Sequence, residues 1–189
     1  MRNIATLGFL VLLCGCVGAP TPAPVGEPLA PGVGLILPDK PVFAAGIEVN
    51  QLVQARFQER HQMFQSFIES GTNRFSIVMS VPSGPRIMKI NWFEGSVSAQ
   101  KEPTAPDALS PRRMLADLLL VYAPADVLRA ALKGAALEED VKGTRKIVKD
   151  GASVIVVTRP SGDVWNGRSA LVNYAFDYEL NIQSQRVTP

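Results

Sequence analysis

Cys14 and Cys16 are the two cysteines of this 189-residue chain, and they stand two positions apart close to its start. As metal ligands they fall short, because a zinc site wants about four Cys, His or carboxylate ligands and the chain adds only one histidine, His61. As a disulfide they would close a tiny, strained and labile ring. The remaining chemistry-bearing residues form no reacting set. His61 has no G-x-S-x-G nucleophile elbow to serve. Glu138-Glu139-Asp140 lacks the spaced oxygen ligands and the loop glycine of a calcium site, and reads as a solvated run. Gly32-Val33-Gly34 continues into neither a phosphate loop nor a dinucleotide fingerprint. The expectation is a protein without enzymatic activity, cofactor or metal.

The surroundings of the cysteines give them a different role. Met1-Arg2-Asn3 is short and basic, Ile4 to Leu13 is almost unbroken apolar sequence, and small Gly15 precedes Cys16. The apolar run is too short for a stable transmembrane helix, which needs roughly 20 residues, and has the layout of a secretory signal. Leu13-Cys14-Gly15-Cys16 resembles a bacterial lipobox. That resemblance implies cleavage before Cys16 and lipidation of Cys16, with Cys14 discarded in a signal peptide of residues 1–15. Val17 in place of Asp favours the outer membrane by analogy with enteric sorting, facing the periplasm.

Removing residues 1–15 from 189 leaves 174, enough for one domain with a real core. Arg2 leaves as well, so 18 Lys+Arg stand against 17 Asp+Glu, a balance that offers nucleic acid no electrostatic footprint. Residues 16–41 are dense in Pro and Gly and read as the lipidated Cys and a polyproline-like tether, able to reach roughly 60 Å from a membrane. Residues 42–189 are the single folded domain.

Within that domain the pattern is strands, then helices, then strands. Phe75, Ile77, Met79 and Val81 alternate with Arg74, Ser76 and Ser80, the period of a half-buried strand. Ile90 and Trp92 belong to a second strand, and Ser96 to Gln100 to a third. Ser110-Pro111 opens a helix as cap and first residue, with Leu115, Leu118, Leu119 and Tyr122 on its apolar side. Pro124 starts a second helix that Gly134 can end. Asp150-Gly151 joins a hairpin of Arg145 to Val148 and Val154 to Thr158. Ala170 to Gln183 reads as one long strand with Tyr174, Phe176 and Tyr178 on the same face. Val53, Phe57, Phe64 and Ile68 have helical spacing, with Asn50 as a candidate cap. The sum is an α+β, mainly β domain: a strongly curved antiparallel sheet covered by a short helical pair.

"RRMLADLLLVYAPADVLRAALKG", Arg145 and the ending "ALVNYAFDYELNI" resemble a family of bacterial outer-membrane lipoproteins of unknown function associated with aryl-polyene and fatty-acid biosynthesis clusters. That family is similar to the LolA/LolB lipoprotein carriers, whose fold is a half-barrel closed by helices. The resemblance spans roughly Arg60 to Ile182. It implies a strand over Gln62 to Glu69, against the helical spacing there, and leaves helix or strand open before it. The chain departs from the family at Ala123, where a Trp often precedes the proline.

Two functions follow as expectations. One is a carrier that accepts a lipid, a lipidated molecule or a polyene lipid in its half-barrel. Its cavity-lining candidates are Phe75, Ile77, Met79, Ile90 and Trp92 on strands, Leu115, Leu118, Leu119 and Tyr122 on the helix, and Tyr174, Phe176 and Tyr178 at the end. The other is a lipid-anchored adaptor that packs solid and binds another envelope protein. Asp117, inside the apolar helix, is a structural polar residue expected to pair with Arg145 or with Arg113. Trp92-Phe93 is a candidate for touching a membrane surface. Replacing Cys16 by Ser is expected to abolish incorporation of labelled palmitate and to leave a soluble or uncleaved protein. Persistent labelling would refute the lipobox.

Overall fold

The computed structural model describes residues 26–106 and 109–187. The signal, Cys14, Cys16 and the first part of the tether lie outside the described residues.

Thirteen strands and two helices follow one another among the described residues. The first two strands, β1 (Glu27–Ala30) and β2 (Val33–Leu35), form a small hairpin. Five longer strands come next: β3 (Ile47–Phe57), β4 (Arg60–Ser70), β5 (Arg74–Ser80), β6 (Arg86–Phe93) and β7 (Ser96–Lys101). Helices α1 (Pro111–Tyr122) and α2 (Ala125–Ala131) interrupt them. Then come β8 (Leu132–Lys133), β9 (Ala136–Glu139), β10 (Arg145–Lys149), β11 (Ala152–Thr158), β12 (Gly167–Asn173) and β13 (Tyr178–Arg186). Ten of these make one antiparallel sheet in the order β7-β6-β5-β4-β3-β13-β12-β11-β10-β9, while β1-β2-β8 form a second, three-stranded sheet. The β3–β13 ladder joins the two runs of hairpins. No ladder joins β7 to β9 among the described residues, so the sheet is open.

The sheet bends around α1. Within one turn of that helix, Leu118 shares a cavity wall with Ile77 of β5, and the Leu120 carbonyl receives Arg145 of β10. Those strands are six spacings apart in the sheet order, about 29 Å if it were flat. A helix about 10–12 Å across cannot touch both unless the sheet wraps it.

Several expected elements appear as read. Ser110 caps α1 through its Oγ, which accepts from the Arg113 backbone amide at 3.3 Å, and Pro111 follows it. Asp150 and Gly151 both have positive φ, 50° and 79°, as a two-residue hairpin with right-handed strand twist requires.

Four expectations are corrected. The helical spacing of Val53 to Ile68 belongs to the β3–β4 hairpin, whose turn is at Gln58 (φ 53°), and the strand that the resemblance implies over Gln62 to Glu69 is β4. Apolar residues four apart satisfy a strand of period 2 as well as a helix. The single long strand from Ala170 is two strands with a turn at residues 174–177. Asn173 Oδ1 accepts from the Phe176 amide at 2.9 Å and Asp177 adopts φ 46°, which reverses the chain. The inward face of β12 therefore switches to Ser169, Leu171 and Asn173, while Tyr178 and Ile182 of β13 face inward as expected. The second helix ends at Ala131, and Gly134 lies beyond β8. There a Cβ would meet the Gly32 carbonyl oxygen at 2.1 Å.

The fourth correction concerns the tether, whose Pro/Gly-rich sequence is already folded by Glu27. Leu29, Val33 and Leu35 are fully buried. Side chains of the domain satisfy the carbonyls that this segment cannot pair: Asn173 Nδ2 donates to Leu29 at 2.8 Å, Lys149 to Pro31 at 2.7 Å, and Arg113 to Pro28.

Arg145 ties the helix to the sheet. Its side chain is almost wholly buried. Nη1 donates to the Leu120 carbonyl at 3.0 Å, Nη2 to that of Ala123 at 2.6 Å, and Nε to Glu139 Oε2 at 3.1 Å. A cation thus satisfies the orphan carbonyls at the negative end of α1, and Glu139, shared with Arg159, balances the charge. Replacing Arg145 by Met is expected to cost about 2–5 kcal/mol in urea unfolding, since it strands the buried Leu120 and Ala123 carbonyls. A loss below about 1 kcal/mol would contradict this role.

Candidate functional site

The first half of α1 does not seat flush on the sheet. A cavity of about 130 Å³ lies between it and strands β3, β4, β5 and β13. Its deep end holds Gln51, Ser66, Ile68 and Ile77, all buried, while Phe64, Met79, Leu118 and Ile182 form the walls. Half-buried Val53, Ala55, Leu180, Leu109 and Met114 surround its mouth. Among the described residues, Asp117 is the one ionisable group on its lining. The volume is close to that of an engineered apolar cavity that takes benzene, about 150 Å³. It suits the end of one hydrocarbon chain and is small for a whole lipid.

A hydrogen-bonded cluster closes the deep end. Gln51 Nε2 donates to Tyr122 Oη at 2.8 Å and to Ser184 Oγ at 3.0 Å, and Ser66 Oγ donates to Gln51 Oε1 at 3.3 Å. Trp165 stacks on Tyr122 with ring centroids 4.0 Å apart. The amide of Gln51 is thereby satisfied without water, as a buried polar group must be.

At the other end, Asp117 Oδ1 accepts from Tyr178 Oη at 2.7 Å and faces Arg113 Nε at 3.7 Å. The guanidinium of Arg113 lies about 5 Å from the rings of Phe176 and Tyr178, at 5.1 and 5.0 Å. Burial raises the pKa of Asp117 to about 6, against the opposing effects of Arg113 and the Tyr178 hydroxyl. Burial and the Asp117 charge also push the Tyr178 phenol upward, which keeps it a donor.

Of the two partners expected for Asp117, the structure supplies Arg113 and not Arg145. Arg145 turns to Glu139 and the helix carbonyls, and Asp117 pairs with Arg113. Glu139 is correspondingly no mere solvated acid, and Asp140 folds its own turn by accepting from the Lys142 and Thr144 amides at 2.8 and 2.9 Å.

Of the expected lining residues, Ile77, Met79 and Leu118 face the cavity. Phe75, Ile90, Trp92, Leu115 and Leu119 do not; they are packed into the solid core. Tyr122 contributes its hydroxyl to the floor cluster. Phe176 and Tyr178 surround Arg113 beyond the mouth, and Tyr174 is 62% exposed on the 174–177 turn. Trp92 is buried, which removes it as a membrane contact; its neighbour Phe93 is exposed. Sequence reasoning missed Gln51, Ser66, Ser184 and Trp165. Gln51 follows Ile47 and Val49 at strand spacing, a signal that the helical reading of the next residues concealed.

Among the described residues the cavity's lining holds no nucleophile–base pair. Asp117 does make it sensitive to pH. Between about pH 4 and 6 the folded chain keeps a proton that the unfolded chain has lost, so this group's contribution to stability falls as pH rises through that window. Asp117→Asn keeps an acceptor for Tyr178. Its stability relative to the native protein is expected to rise by roughly 2–3 kcal/mol from pH 4 to pH 7 in denaturant unfolding. A difference that stays flat with pH would contradict the buried carboxylate.

In comparisons with known proteins, the model of a family described as a protein of unknown function, DUF3261, matches residues 48–186, from β3 through β13. No curated protein matches the chain. The match takes in β3 to β13, both helices and every side chain lining the cavity among the described residues, and on it the chain belongs to the DUF3261 family.

Proposed function

We propose that this protein is a non-enzymatic lipoprotein of the bacterial outer membrane, tied to it through Cys16 and facing the periplasm, that accepts the hydrocarbon part of a lipid, lipidated or polyene-lipid molecule. The observation that carries the reading is the apolar cavity beneath α1, with a half-buried mouth and a sealed polar floor. An open sheet wrapped around a helix is also what the resemblance to LolA/LolB half-barrels implies, and it lets a chain enter along the helix without unpairing a strand. Because the cavity fits only a chain end, a longer chain enters as Met114 and Leu109 swing outward from the rim. The same resemblance suggests an aryl-polyene or fatty-acyl cargo. The adaptor reading finds less support, since solid packing beneath α1 would leave no such space.

Native mass spectrometry of the purified protein, with solvent extraction in parallel, tests this. A non-covalent lipid or polyene mass is expected, separate from the anchor on Cys16. Ala55→Phe, at the mouth, is expected to lower occupancy about tenfold, the effect of losing about 1.4 kcal/mol of binding, without changing the melting temperature. A clean apo mass after incubation with envelope lipids would contradict the carrier.

A further inference from the structure

The outer face of the sheet, opposite the cavity, carries a second pattern. Strand register sets its outward residues in rows across β13, β3, β4 and β5. Asn181, Gln54 and Met63 make one row; Gln183, Leu52, Gln65 and Ser80 the next; Gln185, Asn50, Phe67 and Val78 the third. Six of these are carboxamides, all exposed, and none of the rows contains a charge. Charged residues stand around them: Arg56, His61 and Glu179 beyond the first row, Glu48 and Glu69 beyond the third, Arg168 at the β12 side, and Arg86 and Lys89 at the β6 side.

The face is also recessed. Three adjoining depressions of about 430, 490 and 390 Å³ cover it. The first shares Gln54 and Asn181 with the second, and Leu52 and Gln183 with the third. Asn181 donates to Glu179 and Gln183 accepts from Arg168. The side chains of Asn50, Gln54, Gln65 and Gln185 make no hydrogen bond to another described residue. Each amide offers a donor and an acceptor side by side. Neighbours stand about 4.8 Å apart across strands and about 7 Å along them. Leu52 and Phe67 supply apolar platforms between them.

We propose that this face binds a neutral glycan chain. Paired donors and acceptors match vicinal hydroxyls, Leu52 and Phe67 match the C–H faces of pyranose rings, and rows free of charge at the centre of the face match an uncharged polyol. The inference is independent of the cavity, which lies on the other side of the sheet.

Isothermal titration calorimetry of the full-length chain with maltohexaose, cellohexaose and chitohexaose tests it. Saturable binding of at least one probe is expected. Gln54→Ala/Gln65→Ala is expected to weaken it about tenfold, equivalent to about 1.4 kcal/mol, with an unchanged melting temperature. Asn50→Ala/Gln185→Ala provides a second pair if the first disturbs folding. Absence of binding to all three probes would overturn the proposal. So would binding that survives both pairs, or self-association of the protein that these substitutions abolish, which would give the face to a second copy of the chain.

Discussion

A buried guanidinium organises this molecule. Arg145 cannot be removed from water without partners, and a helix cannot bury its last carbonyls without donors. Each requirement meets the other, because Arg145 donates to Leu120, Val121 and Ala123 at the end of α1 and to Glu139 on the adjoining strand. The bond set fixes where α1 stops and which strand it stops against. With that end held at β10, the sheet must curl for its opposite flank to reach the same helix.

A second arginine holds the other end. Arg113 reaches the Pro28 carbonyl, Tyr178 and Asp117, so the start of α1 is bound to the N-terminal hairpin and to β13. Between the two arginines the helix bridges the sheet more than it packs on it, and the cavity is the space that remains. Its floor is sealed by amide and hydroxyl groups that satisfy one another, and its mouth by side chains that rotate easily, Met114 among them. The outer face of the same central strands is left to solvent with amides in place of charges. The sheet thus has two unlike faces, an apolar one turned inward on α1 and a neutral polar one turned outward.

Much of this was legible in the sequence where one residue controls one local decision. Ser110-Pro111 announced α1 and Asp150-Gly151 announced a hairpin, because capping and positive φ are local chemistry. Strand β5 was legible because its alternation is regular. The failures came where distant parts of the chain decide. Phe64 and Ile68 fit two periods, so periodicity alone pointed to a helix, while the resemblance pointed to the strand that pairs with β3. Asn173 looked like one more strand residue, yet its side chain builds the turn that splits the last strand and holds Leu29. The Pro/Gly-rich segment looked unable to fold because its carbonyl partners, Arg113, Lys149 and Asn173, lie far along the chain. The site was half legible for the same reason. Alternation identified Ile77 and Met79, but the cavity occupies only part of a continuous apolar face, and no pattern in the sequence separates lining from solid core.

Native-state amide hydrogen exchange along α1, followed with increasing denaturant, tests the account of a helix held at both ends most directly. The amides of Leu115 to Tyr122 are predicted to open only with the whole domain, at the free energy of β12 and β13. Exchange of those amides through a local opening well below that free energy would show that the arginines do not fix the helix, and the cavity would lose its roof.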